Sequence, residues 1–259
     1  MDSALATTTG LTAAQRDIFA RDGYLILPRF APAALLAELQ QAAREELAAC
    51  REPLEYESLA DYPGLPSSVN TESGEAVRRL LQAYDRHPAL ARWATSEPLV
   101  EIMRSLLGAA VYLVRNHHNC VMTKHPQGGS RTGWHRDTRY WQFARPELVN
   151  AWLALDSESE NNGGLRVVPG SHRLELPLER LDNALFLRDD PTNQDLLAKA
   201  ATVNLAPGDV MLFHSHLLHA AGNNRSDNVK HSVVFTYRAA DNPPVAGSRS
   251  DRLADISLG

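Results

Sequence analysis

Cysteine is scarce in this chain of 259 residues: Cys50 and Cys120 are the only two, and they lie far apart. A disulfide framework or a cysteine zinc site needs more of them at closer spacing. Both thiols read as packing residues, because free cysteine is commonly buried. No apolar run approaches the roughly 20 residues of a transmembrane helix. Lys/Arg runs are also missing, and the net charge is -5, so nothing electrostatic favours nucleic acid or an anionic membrane. Residues 1–10 have neither a basic n-region nor an apolar h-region and do not read as a secretory signal. The expected compartment is therefore the reducing cytoplasm. No Ser-His-Asp or Cys-His signature supports nucleophilic catalysis.

What is present falls into two halves. Thr12-Ala-Ala-Gln15 predicts a capping box that opens a helix ending near Asp22-Gly23. Tyr24 to Pro28 reads as a short strand. Leu35, Leu36, Leu39, Ala43 and Leu47 recur at helical spacing up to about Cys50. Residues 51–70, with Pro53, Pro63 and Pro66, read as a loop; residues 75–84 and 99–107 read as further helices. From Val111 the pattern turns to strands: residues 111–123, 149–155, 165–168, 202–205, 210–213 and 232–237. The turn Ala206-Pro-Gly-Asp209 predicts a hairpin between two of them. One domain is expected, with residues 1–10 flexible, 11–110 a mostly helical buttress, 111–240 a β-core and 241–259 an irregular tail.

His135-Arg136-Asp137 carries the chemistry. Two imidazoles and one carboxylate can cap one face of an octahedral metal and leave positions open for reactants. Residues i and i+2 of a strand share a face, so His135 and Asp137 can reach one ion. His214, His216 and His219 cluster about eighty residues later, and any of them can complete the set; the turn that follows His219 slightly favours it. By itself His-x-Asp is close to a chance event, and a loop histidine is the bland reading. Lys230 and Ser232 share a face of the last strand, a cation and a hydroxyl suited to a carboxylate. A solvated lysine is the commoner alternative.

Ordered motifs add weight. They are Asp22-Gly-Tyr-Leu-Ile-Leu-Pro28, Trp134-His-Arg-Asp137, Val149-Asn-Ala-Trp-Leu-Ala-Leu155, Asn162-Gly-Gly-Leu-Arg-Val-Val-Pro-Gly-Ser-His172, Pro207-Gly-Asp-Val210 and His219-Ala-Ala-Gly-Asn-Asn-Arg-Ser226. With them the chain, from about Leu11 to Asn242, resembles the phytanoyl-CoA dioxygenase-like (PhyH) family of Fe(II)/2-oxoglutarate oxygenases. The resemblance implies a mainly β fold: a cupin-like double-stranded β-helix, or jelly roll, flanked by N-terminal α-helices. It implies His135, Asp137 and His219 as iron ligands and 2-oxoglutarate and O2 as cosubstrates.

The family carries an arginine eleven residues after the distal histidine, for the far carboxylate of 2-oxoglutarate. Lys230 stands there, which keeps the charge but loses the bidentate fork. Ser232 shares its face, Arg225 is the alternative anchor, and Trp152 is a candidate neighbour of the cosubstrate, with a core tryptophan as the plainer alternative. By family position Lys124, His118, Cys120 and Met122 line the pocket, with ordinary barrel interior as the equal alternative. Arg139, Tyr140 and Trp141 sit just past the ligand pair and are candidates for substrate contact, a surface arginine being the bland alternative at 139. His172 is expected to be a turn residue. Asp137 argues against halogenation, since related halogenases carry a small residue at this position. The implied reaction is hydroxylation, or another C–H oxidation, of a small organic molecule, with release of succinate and CO2. The alternatives are a metal enzyme without 2-oxoglutarate, or a catalytically silent binding protein on the same fold. A monomer or small homo-oligomer is expected.

Overall fold

The computed structural model describes residues 10–57, 76–126 and 130–259. Its strands are β1 (Tyr24–Leu27), β2 (Leu54–Tyr56), β3 (Val77–Leu81), β4 (Val111–Lys124), β5 (Thr132–His135) and β6 (Leu148–Ala154). They continue as β7 (Leu165–Val167), β8 (Ala201–Thr202), β9 (Val210–His214), β10 (His219–Ala221), β11 (Lys230–Ala239) and β12 (Ile256–Ser257). The helices are α1 (Ala13–Asp22), α2 (Ala33–Ala49), α3 (Ala83–Arg86), α4 (Pro88–Ala94), α5 (Glu97–Leu107) and α6 (Gln194–Leu197).

Two antiparallel sheets face one another without closing into a barrel. The large sheet runs β1-β9-β6-β11-β4-β3-β2, with β12 added on β4; the small one runs β5-β10-β7-β8. Strand parity explains the packing. On β11, Val233, Phe235 and Tyr237 point to one side and pack under Leu39, Trp93, Leu99 and Met103 of the helices. Val234 points the other way, into the space between the sheets, with Trp152, Leu165, Val167, Met211 and Phe213. Every residue of β11 is buried, as a strand covered on both faces must be. A third cluster, Trp134, Val168, Leu187, Leu196 and Leu218, covers the outer face of the small sheet.

The capping box forms as expected: Thr12 accepts from the Gln15 amide, and the Gln15 side chain accepts from the Thr12 amide. Gly23 ends α1 at φ 78, and a Cβ there would fall 2.4 Å from the His172 ring. His172 is thereby a turn residue that locks the end of α1, as expected.

Five expectations need correction. Residues 54–56, read as part of a loop, form strand β2 paired with β3. Residues 77–81 form strand β3, paired with β4 and β2, where a helix was expected; α3 follows only at Ala83. Partners on both sides, available only in the folded sheet, override the helical reading. The 206–209 turn joins two sheets and closes no hairpin: β8 pairs β7, whereas β9 pairs β1 and β6. The tail is not irregular throughout, for β12 adds to β4 at Leu113 and Tyr112. Cys50 is exposed in a left-handed C-cap, while Cys120 is buried as expected. Residues 58–75, with Pro63 and Pro66, and the glycine turn at 127–129 lie outside the described residues.

Candidate metal centre

The small sheet brings the two histidines together. His219 on β10 is the direct cross-strand partner of His135, the last residue of β5, with ring centroids 4.2 Å apart. Asp137 is not part of the strand, contrary to the i, i+2 argument. The strand ends at His135, and Asp137 opens a 3₁₀ turn, its amide donating to Ser215 O at 3.1 Å. That turn still aims the carboxylate inward: Oδ1 lies 3.8 Å from His135 Nε2 and 3.5 Å from His219 Nε2. One donor atom from each of the three lies within 4.8 Å of the others, and all three residues are buried.

The donor set suits a divalent metal. His135 Nδ1 contacts Gly133 O at 2.8 Å and His219 Nδ1 contacts Leu217 O at 3.0 Å. A carbonyl only accepts, so both Nδ1 atoms carry the hydrogen, and both Nε2 lone pairs face the centre. Burial, reinforced for His135 by the neighbouring His219, pushes His135 well below the ordinary imidazole value; burial likewise lowers His219. Both rings are thus held neutral, the form that ligates. Burial alone would raise Asp137. The neighbouring His118 and His219 outweigh it and hold the carboxyl well below its usual range. The Asn150 amide donates to Asp137 Oδ2 at 2.8 Å, and Thr236 donates in turn to Asn150 Oδ1. His214 and His216 do not approach the centre. They sit with His172, and His214 Nδ1 accepts from the His216 amide at 3.0 Å.

His118 reaches the centre through an irregularity. The β4–β11 register jumps from Asn119↔Phe235 to Val114↔Thr236, so residues 115–118 loop out of the ladder. His118 Nε2 lies 2.9 Å from Asp137 Oδ1. Burial lowers this imidazole, but the Asp137 charge and hydrogen bond outweigh it and push it up to about 9.

Two cavities meet at these residues. The inner one, with room of about 50 Å³, runs between the sheets past Met122, Trp152, Leu165 and Phe213 to Lys124 and Lys230. The outer one, about 700 Å³, is lined by Arg139, Tyr140, Trp141 and His117, together with Arg79, Arg115, Arg249 and Arg252. Arg139 lies over the Phe186 ring, and Trp141 stacks on His117 at 4.7 Å. Lys124, expected beside the substrate, lies in the inner cavity and donates to Ser130 O and Gly222 O; burial lowers its ammonium to about 7. Arg225 is exposed and lines neither cavity, so the alternative anchor is not brought to the site.

Asn150, Thr236, Glu158 and the arginines at 79, 115, 249 and 252 were missed in sequence. Asn150 was within reach, because it shares a strand face with Trp152 two residues on. Arg79 was hidden by the helix reading, and Arg249 and Arg252 by treating the tail as irregular. Glu158 carried no local signal.

A jelly roll with a buried His-x-Asp…His face defines a class, the non-haem iron oxygenases. The model of the phytanoyl-CoA dioxygenase (PhyH) family matches residues 19–232, and the chain belongs to that family. It is similar to an ectoine dioxygenase of Bordetella parapertussis, 27% identical over 92% of this chain and 79% of that protein. It is also similar to the peroxisomal phytanoyl-CoA dioxygenase of Homo sapiens, 26% identical over 89% of this chain and 69% of that one. EctD from S. alaskensis, solved with 2-oxoglutarate and 5-hydroxyectoine, superposes with a TM-score of 0.73 at 25% identity, covering 92% of this chain and 80% of that one. The protein is an iron- and 2-oxoglutarate-dependent dioxygenase that uses O2 and acts on a small molecule. No helix among the described residues is long and apolar enough to cross a membrane.

Proposed function

We propose that His135, Asp137 and His219 hold the iron, and that the enzyme hydroxylates a small anionic organic molecule bound in the outer cavity. One observation carries the substrate class. Among the described residues, five arginines, at 79, 115, 139, 249 and 252, line a cavity of about 700 Å³ in which Glu55 is the one carboxylate besides Asp137. Glu55 pairs with Arg79, and Arg115 pairs with Asp85 nearby. Guanidinium groups are the usual partners of carboxylates and phosphates. Bound iron and 2-oxoglutarate together supply the activation of O2 towards a C–H bond, with succinate and CO2 as products.

The chain's own residues position and shield. The carbonyls of Gly133 and Leu217 hold the two imidazoles with Nε2 inward. Asn150 and His118 hold the two oxygens of Asp137. Lys230 Nζ, Ser232 Oγ and Trp152 Nε1 converge at the inner end of the narrow cavity, where they suit the far carboxylate of 2-oxoglutarate. Apolar Met122, Leu165 and Phe213 keep water from the space between that anchor and the metal site. Trp141 and Tyr140 supply aromatic walls to the outer cavity. The reading extends to a cytoplasmic enzyme, monomeric or a small homo-oligomer, that engages neither nucleic acid nor membrane.

Succinate formation tests it. Anaerobic protein is loaded with Fe(II), then given O2, 2-oxoglutarate and a panel of anionic, neutral and cationic small molecules. Anionic members should stimulate succinate above the no-substrate rate, and Asp137→Ala should abolish it. Arg249→Glu with Arg252→Glu should raise KM for the best anionic substrate at least tenfold with kcat little changed. Equal stimulation by neutral and anionic members would remove the substrate class.

A further inference from the structure

The anchor for the cosubstrate is already holding a carboxylate of the chain itself. Glu158 lies on the loop after β6, its backbone tied to Leu205 by two hydrogen bonds of 2.8 and 3.0 Å. Its Oε2 accepts from Lys230 Nζ at 2.9 Å, and its Oε1 accepts from Ser232 Oγ at 2.6 Å and Trp152 Nε1 at 2.9 Å. All four residues are buried. These donors are the same three assigned above to the far carboxylate of 2-oxoglutarate, so the inference rests on that assignment. A carboxylate has about four acceptor positions, and three charged or polar donors aimed at one point recognise a carboxylate whatever its owner. The inner cavity, about 50 Å³, reaches Lys230 and Trp152, two of the three donors that Glu158 holds. The Glu158 carboxylate already stands at the point on which Lys230, Ser232 and Trp152 converge, so the far carboxylate of 2-oxoglutarate cannot take that point while Glu158 stays in place.

We propose that Glu158 is an internal competitor for the far carboxylate of the cosubstrate: 2-oxoglutarate takes Lys230, Ser232 and Trp152 only after the Glu158 side chain leaves them. The backbone tie to Leu205 leaves side-chain torsions as the moving part. Lys124, in the same cavity and within reach of the Glu158 charge, is a second cation for the displaced carboxylate. Glu158 then sets both cosubstrate affinity and selectivity. A 2-oxo acid without a far carboxylate needs no displacement and is favoured relative to 2-oxoglutarate, whereas removing Glu158 tips the balance towards the diacid. The departure of Lys230 from the family's arginine has a matching partner in Glu158, since a compact ammonium pairs with one carboxylate oxygen without a fork.

Binding, not turnover, tests this. Fe(II)-loaded wild type, Glu158→Gln and Glu158→Ala are titrated anaerobically by calorimetry with 2-oxoglutarate and with 2-oxobutyrate, which lacks the far carboxylate. Both variants should bind 2-oxoglutarate at least tenfold tighter than wild type, with the Kd for 2-oxobutyrate within about threefold. Glu158→Ala leaves Lys230 buried without a counter-charge and should melt below wild type; 2-oxoglutarate should raise its Tm by more than it raises that of wild type. Glu158→Gln keeps the shape of the side chain and guards against misfolding of the alanine variant. Folded variants that bind 2-oxoglutarate no tighter than wild type would overturn the proposal. Lys230→Ala separates the two readings. If it weakens 2-oxoglutarate but the Glu158 variants do not tighten it, the anchor stands and the competition fails. If Lys230→Ala has no effect, the anchor itself is wrong.

Discussion

Asp137 is the residue on which the centre turns, and its environment was set by neighbours that no local motif names. Asn150 and His118 each hold one of its oxygens, and Thr236 orients Asn150. Groups that orient a metal ligand typically change metal affinity by about 10–100-fold when lost. Asn150→Ala should therefore weaken Fe(II) affinity by about that factor, read by metal titration under anaerobic conditions, with far-UV circular dichroism unchanged. An unchanged affinity would mean that His118 alone suffices. His135 and Asp137 were legible as a pair because a chain keeps neighbours near one another whatever the backbone does. The reason first given for their shared face was wrong: one residue ends a strand and the other starts a 3₁₀ turn. His219 could not be separated from His214 and His216 by spacing. Only its pairing opposite His135 decides it.

At the level of elements, strand parity on β11 was readable and correct. Lys230, Ser232 and Thr236 face the site, while Val233, Phe235 and Tyr237 face the helices. The 206–209 turn was readable as a turn but not as a crossing between sheets. Its chemistry is carried by Asp209, whose carboxylate accepts from the Ala206 amide at 2.8 Å and the Arg29 amide at 2.7 Å. The turn is thereby fastened to the segment just after β1. Asp209→Ala leaves two amides short of a partner and should cost about 1–3 kcal/mol, measured by urea denaturation. A loss below about 0.5 kcal/mol would show that water replaces the carboxylate freely. The register jump in β4 that delivers His118 has no signature in residues 115–118 themselves. It exists because β11 pairs on both sides of it.

For the whole molecule, the binding of iron and the stability of the fold are one equilibrium. The three candidate ligands come from β5, the turn after it and β10, so an ion held by all of them closes a loop of some eighty residues. A ligand that binds only the folded state at 100 times its Kd stabilises by about 2.7 kcal/mol. Fe(II) should raise Tm by several degrees, a chelator should reverse the shift, and Asp137→Ala should show none. A shift of equal size in Asp137→Ala would place the ion elsewhere. The sequence by itself determined the broad order of helices before strands, the β11 parity, the family and the His-x-Asp pair. Those are properties of neighbours in the chain, and periodicity records them. Tertiary structure alone decided which distal histidine meets the pair, that Lys230, Ser232 and Trp152 converge on Glu158, and that arginines from four separate places line one cavity. His135 meets His219 across 84 residues and Glu158 meets Lys230 across 72, and no local pattern encodes where two remote strands will lie until the sheets have packed.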